Sequence, residues 1–224
     1  MNKKEFYEWK ADSYTEFDRK GFARYQRALK LANVRSGAKV LDIGCKHAFL
    51  CDYLAEKGMN CDYYGLDISG KVIESVKHKK GTFQTCDIMK GLPFGDGQFD
   101  YIFCLEVLEH VENPTFLLNQ FERVLKDDGM LLLSVPNPYE WLSILAELLR
   151  FPETEGHIAS FTFQNISKIL DFCGLKVEKR LGTYTVLPYT LHGVRKGNYL
   201  MFPTSLTFLA SSFVYRIRKC SVSG

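Results

Sequence analysis

The segment Val40-Leu41-Asp42-Ile43-Gly44-Cys45-Lys46-His47-Ala48-Phe49-Leu50 changes character halfway along. Its first part is a short apolar run, Val40, Leu41 and Ile43, with the length and composition of a buried strand. Gly44 supplies a tight turn, and a helix is expected from about Ala48 to Lys57, stopped by Gly58. A strand that runs through a glycine turn into a helix opens a parallel α/β sheet. Such a turn is expected to leave backbone N–H groups facing a crevice at the strand's carboxyl end, where ligands bind.

The same alternation continues outward. Residues 61–68 read as a second strand ending at Asp67-Ile68, and residues 70–78 as a helix that either Ser69 or Asp67 caps. Residues 82–86 form a third strand ending in Asp87-Ile88. The turn-rich residues 91–97 lead into a fourth strand, 99–105, an amphipathic helix, 115–125, stopped by Asp127-Asp128-Gly129, and a fifth strand, 130–135. Strands that alternate with helices predict a parallel sheet with helices on both faces. Thr162 can cap a helix over 163–172, and a sixth strand follows at 175–182. Phe213, Tyr215 and Ile217 alternate with polar residues, which gives a seventh, antiparallel strand.

Composition narrows the class. A chain of 224 residues, 46% hydrophobic, can bury one α/β core. The net charge of +3 is spread without a long basic stripe, so a nucleic-acid track is not expected. Seven cysteines without paired C-x-x-C spacing argue for reduced thiols in a cytoplasmic protein and against zinc or disulfide frameworks. No apolar run follows Met1-Asn2-Lys3-Lys4-Glu5, so no secretory signal is expected.

Leu41-Asp42-Ile43-Gly44-Cys45 before a helix resembles the first motif of class I S-adenosylmethionine (SAM) dependent methyltransferases, usually Asp-x-Gly-x-Gly-x-Gly. Here Lys46 and Ala48 stand at the later two glycine positions. The resemblance extends over about residues 38–182 and is closest to ubiquinone-pathway O-methyltransferases. It implies a Rossmann-like sheet of seven strands, mostly parallel and with the last antiparallel. It further implies a SAM site built from Asp42, Gly44, Cys45, Lys46, Asp67, Ile68, Asp87, Ile88 and Leu105. Asp67 takes the ribose hydroxyls and Asp87 the adenine amino group. Trp9-Lys10-Ala11-Asp12-Ser13-Tyr14 resembles the family's lid segment, which makes residues 1–33 a helical lid on a domain of 34–224 and Tyr14 a cofactor contact.

Leu105-Glu106-Val107-Leu108-Glu109-His110 closes the fourth strand, where the methyl group is presented. If the segment is helical, Glu106, Glu109 and His110 fall at i, i+3 and i+4 on one side. This E-x-x-E-H set resembles the metal site of some family members, with His157 as a fourth ligand for a divalent ion. Alternatively, Glu109 and His110 fix the loop, and His110 or His157 acts alone as base or acceptor contact.

Residues 139–150 are apolar nearly all round, and residues 184–212 form an apolar insertion interrupted by Pro203, a poor membrane-spanning segment. Core, a homodimer face, peripheral membrane contact and a lipid-like acceptor pocket are all open uses. The function expected is SAM-dependent O-methylation of a small or lipid-like acceptor. Two other readings are a SAM-fold scaffold without catalysis, kept open by Lys46 and Ala48, and a metal-assisted 2′-O-methyltransferase acting on RNA.

Overall fold

The computed structural model describes residues 2–12, 19–152, 155–188 and 199–220. In chain order the elements are α1 (Lys3–Ala11), α2 (Arg19–Ala32), β1 (Lys39–Ile43), α3 (Phe49–Glu56), β2 (Asp62–Asp67), α4 (Gly70–Val76), β3 (Thr82–Thr85) and β4 (Phe99–Leu105). They continue with α5 (Pro114–Val124), β5 (Leu125–Pro136), α6 (Trp141–Leu148), α7 (Phe163–Phe172), β6 (Leu175–Gly182), β7 (Thr185–Pro188), β8 (Tyr199–Phe202) and β9 (Ser212–Lys219).

Seven strands form one sheet in the order β3-β2-β1-β4-β5-β9-β6. The pairs from β3 to β5 are parallel, and β9 runs antiparallel to both its neighbours, β5 and β6. The predicted seventh strand is therefore present, wedged between the fifth and the sixth. The apolar insertion contains β7 and β8, which pair as a separate antiparallel ribbon.

Each face of the sheet carries a core. One joins Phe99, Ile102, Leu131 and Leu133 to Leu117, Leu118 and Phe121 of α5 and Ile166 and Leu170 of α7. The other joins Val40, Phe103 and Leu132 to Ala28 and Leu31 of α2 and Leu50 and Leu54 of α3. Truncating a side chain as fully buried as Phe121 should cost roughly 3–5 kcal/mol. Helix starts follow local chemistry. Ser69 caps α4 by accepting from Val72 N–H, Asn113 caps α5 ahead of Pro114, and Thr162 caps α7.

The turn after β1 has three positions with positive φ, and only the first is a glycine. Gly44 has φ +70°, and a Cβ there would lie 2.7 Å from Val107 Cγ2. Lys46 and Ala48 also take positive φ, +45° and +51°, a conformation that costs an L-residue about 1–2 kcal/mol.

Candidate functional site

A cavity of about 490 Å³ opens above the carboxyl ends of β1, β2 and β4. Gly44, Lys46, Asp67, Ile68, Asp87, Ile88 and Leu105 line it, as do Glu106, His110 and His157. Asp42 and Cys45 do not. Asp42 is fully buried beneath the cavity floor, where it accepts hydrogen bonds from Tyr63 Oη (2.6 Å) and Tyr25 Oη (3.2 Å). Burial raises its carboxyl to about 7 even though both tyrosine hydroxyls favour the charged form. Cys45 is 1% exposed, a core side chain. Tyr14 lies outside the described residues.

The expectation that the β1 turn leaves its amides open is corrected by the hydrogen bonds. Gly44 and Cys45 N–H both donate to Leu66 O, at 2.8 and 3.0 Å, and Lys46 N–H donates to Asp67 Oδ2 at 3.2 Å. Asp67 Oδ1 accepts from Ser69 N–H at 3.0 Å. Ser69 does cap α4, as one alternative had it, but Asp67 is held by two amides. Burial pushes its carboxyl up, and these two bonds resist the shift.

Residues 106–110 are not an α-helix. Glu106 takes φ +56°, and only Leu108–His110 form a 3₁₀ turn. The i, i+3, i+4 alignment fails, because the unwound backbone turns the first carboxylate away from the others. Glu106 Oε1 accepts from Ser134 Oγ at 2.8 Å, and Oε2 lies 3.9 Å from Arg24 Nη1.

Glu109, His110 and His157 do come together. One ligand atom from each lies within 4.8 Å of the others, and Glu106 is not in the group. Glu109 Oε1 is 3.9 Å from Nε2 of both histidines. The segment carrying His157 is pinned there by Ile158 and Ala159 N–H, which both donate to Glu109 O. His110 Nδ1 lies 2.9 Å from Gly156 O. Since a carbonyl only accepts, Nδ1 carries the proton and Nε2 keeps its lone pair. Burial lowers the His110 imidazole to about 4. Glu109 is 0% exposed, and neither carboxylate oxygen has a hydrogen-bond partner among the described residues. Burial pushes its carboxyl well up, with Glu106 adding to the shift.

A helical lid over residues 1–33 was expected, but the individual side chains that it and Tyr184 bring to the cavity were not legible in the sequence. α1 lies across the cavity mouth, contributing Lys3, Tyr7 and Lys10. Its Glu8 accepts from Gly70 N–H at 2.7 Å and Ser69 Oγ at 2.8 Å. Burial opposes ionisation of Glu8, but these bonds outweigh it and lower its pKa. Ion pairs Lys3–Glu112 (2.8 Å), Lys10–Glu155 (2.9 Å) and Lys71–Asp12 (2.9 Å) strap the helix down. α2 brings Lys20 and Arg24, and Tyr184 closes the far side. A basic pair four apart on an amphipathic helix was the available signal for the α2 residues.

The chain matches a family model described as a methyltransferase domain over residues 15–180. A ubiquinone biosynthesis O-methyltransferase of Dechloromonas aromatica is 31% identical over 185 residues, 74% of this chain and 78% of that protein. A demethylmenaquinone methyltransferase of Bacillus pumilus is 33% identical over 116 residues, 47% of this chain and 48% of that protein. Among solved structures, the methyltransferase in complex with the Haloferax volcanii Trm112 activator superposes with TM-score 0.69. It is 16% identical, and the match covers 89% of this chain and 90% of that one. A SAM-dependent methyltransferase from Archaeoglobus fulgidus gives TM-score 0.64 at 17% identity, over 97% of this chain and 100% of that one. The strand order, the cavity over β1 and β2 and the family match agree, and the chain belongs to the class I SAM-dependent methyltransferases.

Proposed function

We propose that this enzyme transfers the methyl group of SAM to an oxygen of a small or lipid-like acceptor, with Glu109, His110 and His157 beside the accepting atom. The observation that carries the reading is the convergence of these three side chains, with His110 and His157 lining the cavity and Glu109 fully buried 3.9 Å from Nε2 of both. The D. aromatica relative, by its name an O-methyltransferase, supports the same bond type.

The acids at the strand ends fit the nucleoside part of SAM. Asp67 at the end of β2 takes the ribose hydroxyls and Asp87 beyond β3 the adenine amino group, both as charge-assisted acceptors. Arg24, whose side chain is 13% exposed, lines the cavity beside Gly44 and Glu106 and is suited to a carboxylate. SAM supplies a methyl group on a good leaving group. What remains for the protein is to align acceptor, methyl and sulfur, and to remove a proton from the acceptor hydroxyl. His110 Nε2, unprotonated and oriented by Gly156, or His157 Nε2 beside it, takes that proton. α1 over the cavity mouth keeps water out while the groups are aligned.

The same three residues fit a divalent metal. A fully buried carboxylate with no hydrogen-bond partner among the described residues is costly unless it is protonated or meets a cation, and His110 presents a lone pair fixed from behind by a carbonyl. Two imidazoles and one carboxylate suit manganese, iron or zinc better than magnesium. Such an ion would lower the pKa of an acceptor hydroxyl. Glu106 stands outside this ligand set.

The scaffold reading rested on Lys46 and Ala48, and both adopt the positive φ that glycine takes most readily. The test is a panel of phenol, catechol and amine acceptors with SAM, with and without EDTA. Transfer to catechol or phenol oxygen is expected, abolished in a His110→Ala, His157→Ala double variant that still binds S-adenosylhomocysteine. Transfer to amines alone, or full activity in the double variant, would overturn the reading.

A further inference from the structure

The charge of the chain is unevenly placed. Seven of its 29 lysines and arginines lie after Glu178, and none of its 26 acids does, so residues 1–178 carry a net −4 and residues 179–224 a net +7. Arg216, Arg218 and Lys219 are ion-paired on β9 with Glu178, Glu122 and Asp127. Of the other four, Lys179 and Arg180 lie on β6, and Arg195 and Lys196 lie outside the described residues.

Those side chains protrude from three neighbouring pieces. α6 buries none of its residues, and at and beyond its end Leu148 is 75% exposed, Leu149 55% and Phe151 61%. On the ribbon, Leu187 pairs directly with Leu200, and Phe202 lies two residues on, so all three share one face. All are exposed, as are Leu206 and Phe208 in the loop that follows. That loop is joined to α6 by Trp141 N–H donating to Phe208 O, and to the start of the 137–140 turn by Asn137 Nδ2 donating to Thr207 O. Cations rim the group. Arg19 and Lys20 lie 5.8 and 5.4 Å from the Tyr199 ring at the start of β8. Arg180 sits 4.4 Å over Phe163 in a cleft shared with Tyr139 and Thr207, and Arg150 follows α6. Glu147 is an exposed acid in the last turn of α6.

We propose that α6, the β7–β8 ribbon and the loop 206–208 form a docking face for the surface of an anionic lipid bilayer. Protruding Leu and Phe side chains enter a fluid interface that needs no matching holes, and the basic rim meets the headgroups. A second copy of the chain fits less well, because a two-fold interface would set one basic rim against the same rim. No helix among the described residues is long and apolar enough to cross a membrane, so contact is from one side. Lys20 and Pro136 border both this face and the cavity above β1, β2 and β4, which puts the mouth of the site next to the lipid. The face stands on its own observations and does not depend on the O-methylation reading.

The test is flotation of the full chain with vesicles of phosphatidylcholine alone or mixed with phosphatidylglycerol, at low and high salt, alongside sedimentation velocity. The variants are Leu148→Gln with Phe208→Gln, both exposed and outside the catalytic groups. The expected result is binding to the phosphatidylglycerol vesicles about tenfold above that to phosphatidylcholine, reduced by salt. The double variant should lose vesicle binding and keep its affinity for S-adenosylhomocysteine. Absence of binding to anionic vesicles at low salt would overturn the proposal. So would equal binding by the double variant, or a dimer that the double variant dissolves in a protein that ignores vesicles, which would assign the face to a second copy.

Discussion

The buried Asp42 makes a quantitative prediction about pH. Its carboxyl is raised from 3.8 to about 7 in the folded protein, while in the unfolded chain it titrates at about 3.9. Between those values the folded state holds a proton that the unfolded state has released, so the slope of stability with pH from this group is negative, about −1.4 kcal/mol per pH unit. The contribution is complete below the unfolded value, falls as pH rises, and is gone above about 7. The span of roughly three units corresponds to about 4 kcal/mol. Asp42→Asn removes the titration while leaving an amide oxygen to accept from Tyr63 Oη and an amide N–H₂ to face Tyr25. Urea unfolding of wild type and variant, from about pH 5 to about pH 8, should give a difference that grows in the variant's favour by roughly 2–3 kcal/mol and then levels off. A flat difference across that range would refute the reasoning. It would mean that the two tyrosine hydroxyls hold Asp42 ionised throughout and outweigh its burial.

Asp67→Ala should weaken S-adenosylhomocysteine binding by roughly 1.5–3 kcal/mol in calorimetry, the value of a charge-assisted pair of hydrogen bonds; unchanged affinity would remove Asp67 from the ribose. Glu109→Gln should abolish the binding of Mn²⁺ measured by electron paramagnetic resonance without unfolding the protein, whereas retained Mn²⁺ would show that the three-residue cluster is not a metal site. Lys46→Gly should be neutral or stabilising by up to about 1 kcal/mol in urea melts, since relief of about 1–2 kcal/mol of left-handed strain outweighs the added freedom of glycine in the unfolded chain. A loss above about 1 kcal/mol would show that the Lys46 side chain holds the loop together.

The sheet was legible because its central strands β1, β4 and β5 are largely buried on both faces and the strands are separated by helical spacing, signals carried by neighbouring residues. β4 and β6 match their predicted bounds. The acids at the ends of β2 and β3 were legible for the same reason, since a strand end fixes where the next side chain goes. Residues 106–110 were misread because their spacing is compatible with a helix, while Glu106 at φ +56° breaks it. The competing partner, Ser134, lies on another strand 28 residues away, and spacing carries no information about it. Asp42 was misplaced for the opposite reason. The motif locates it beside the ligand in sequence, but alternation along β1 turns its side chain away from the cavity toward Tyr25 and Tyr63.

The most consequential contacts at the site join segments far apart in the chain. α1 meets the α4 N-terminus through Glu8 and the His157 segment through Lys10, which donates to Glu155 O at 2.8 Å and to its carboxylate at 2.9 Å. Phe6 also packs where a Cβ on Gly156 would sit, and Gly156 O is the group that orients His110. One short helix with no buried residue thus touches the loop beside Asp67 and the segment that sets His110 and His157. Its hydrophobic pattern is weak because its position is held by ion pairs and hydrogen bonds. Those depend on where α4 and the 155–157 segment arrive in space, and neither charge nor spacing within α1 states it.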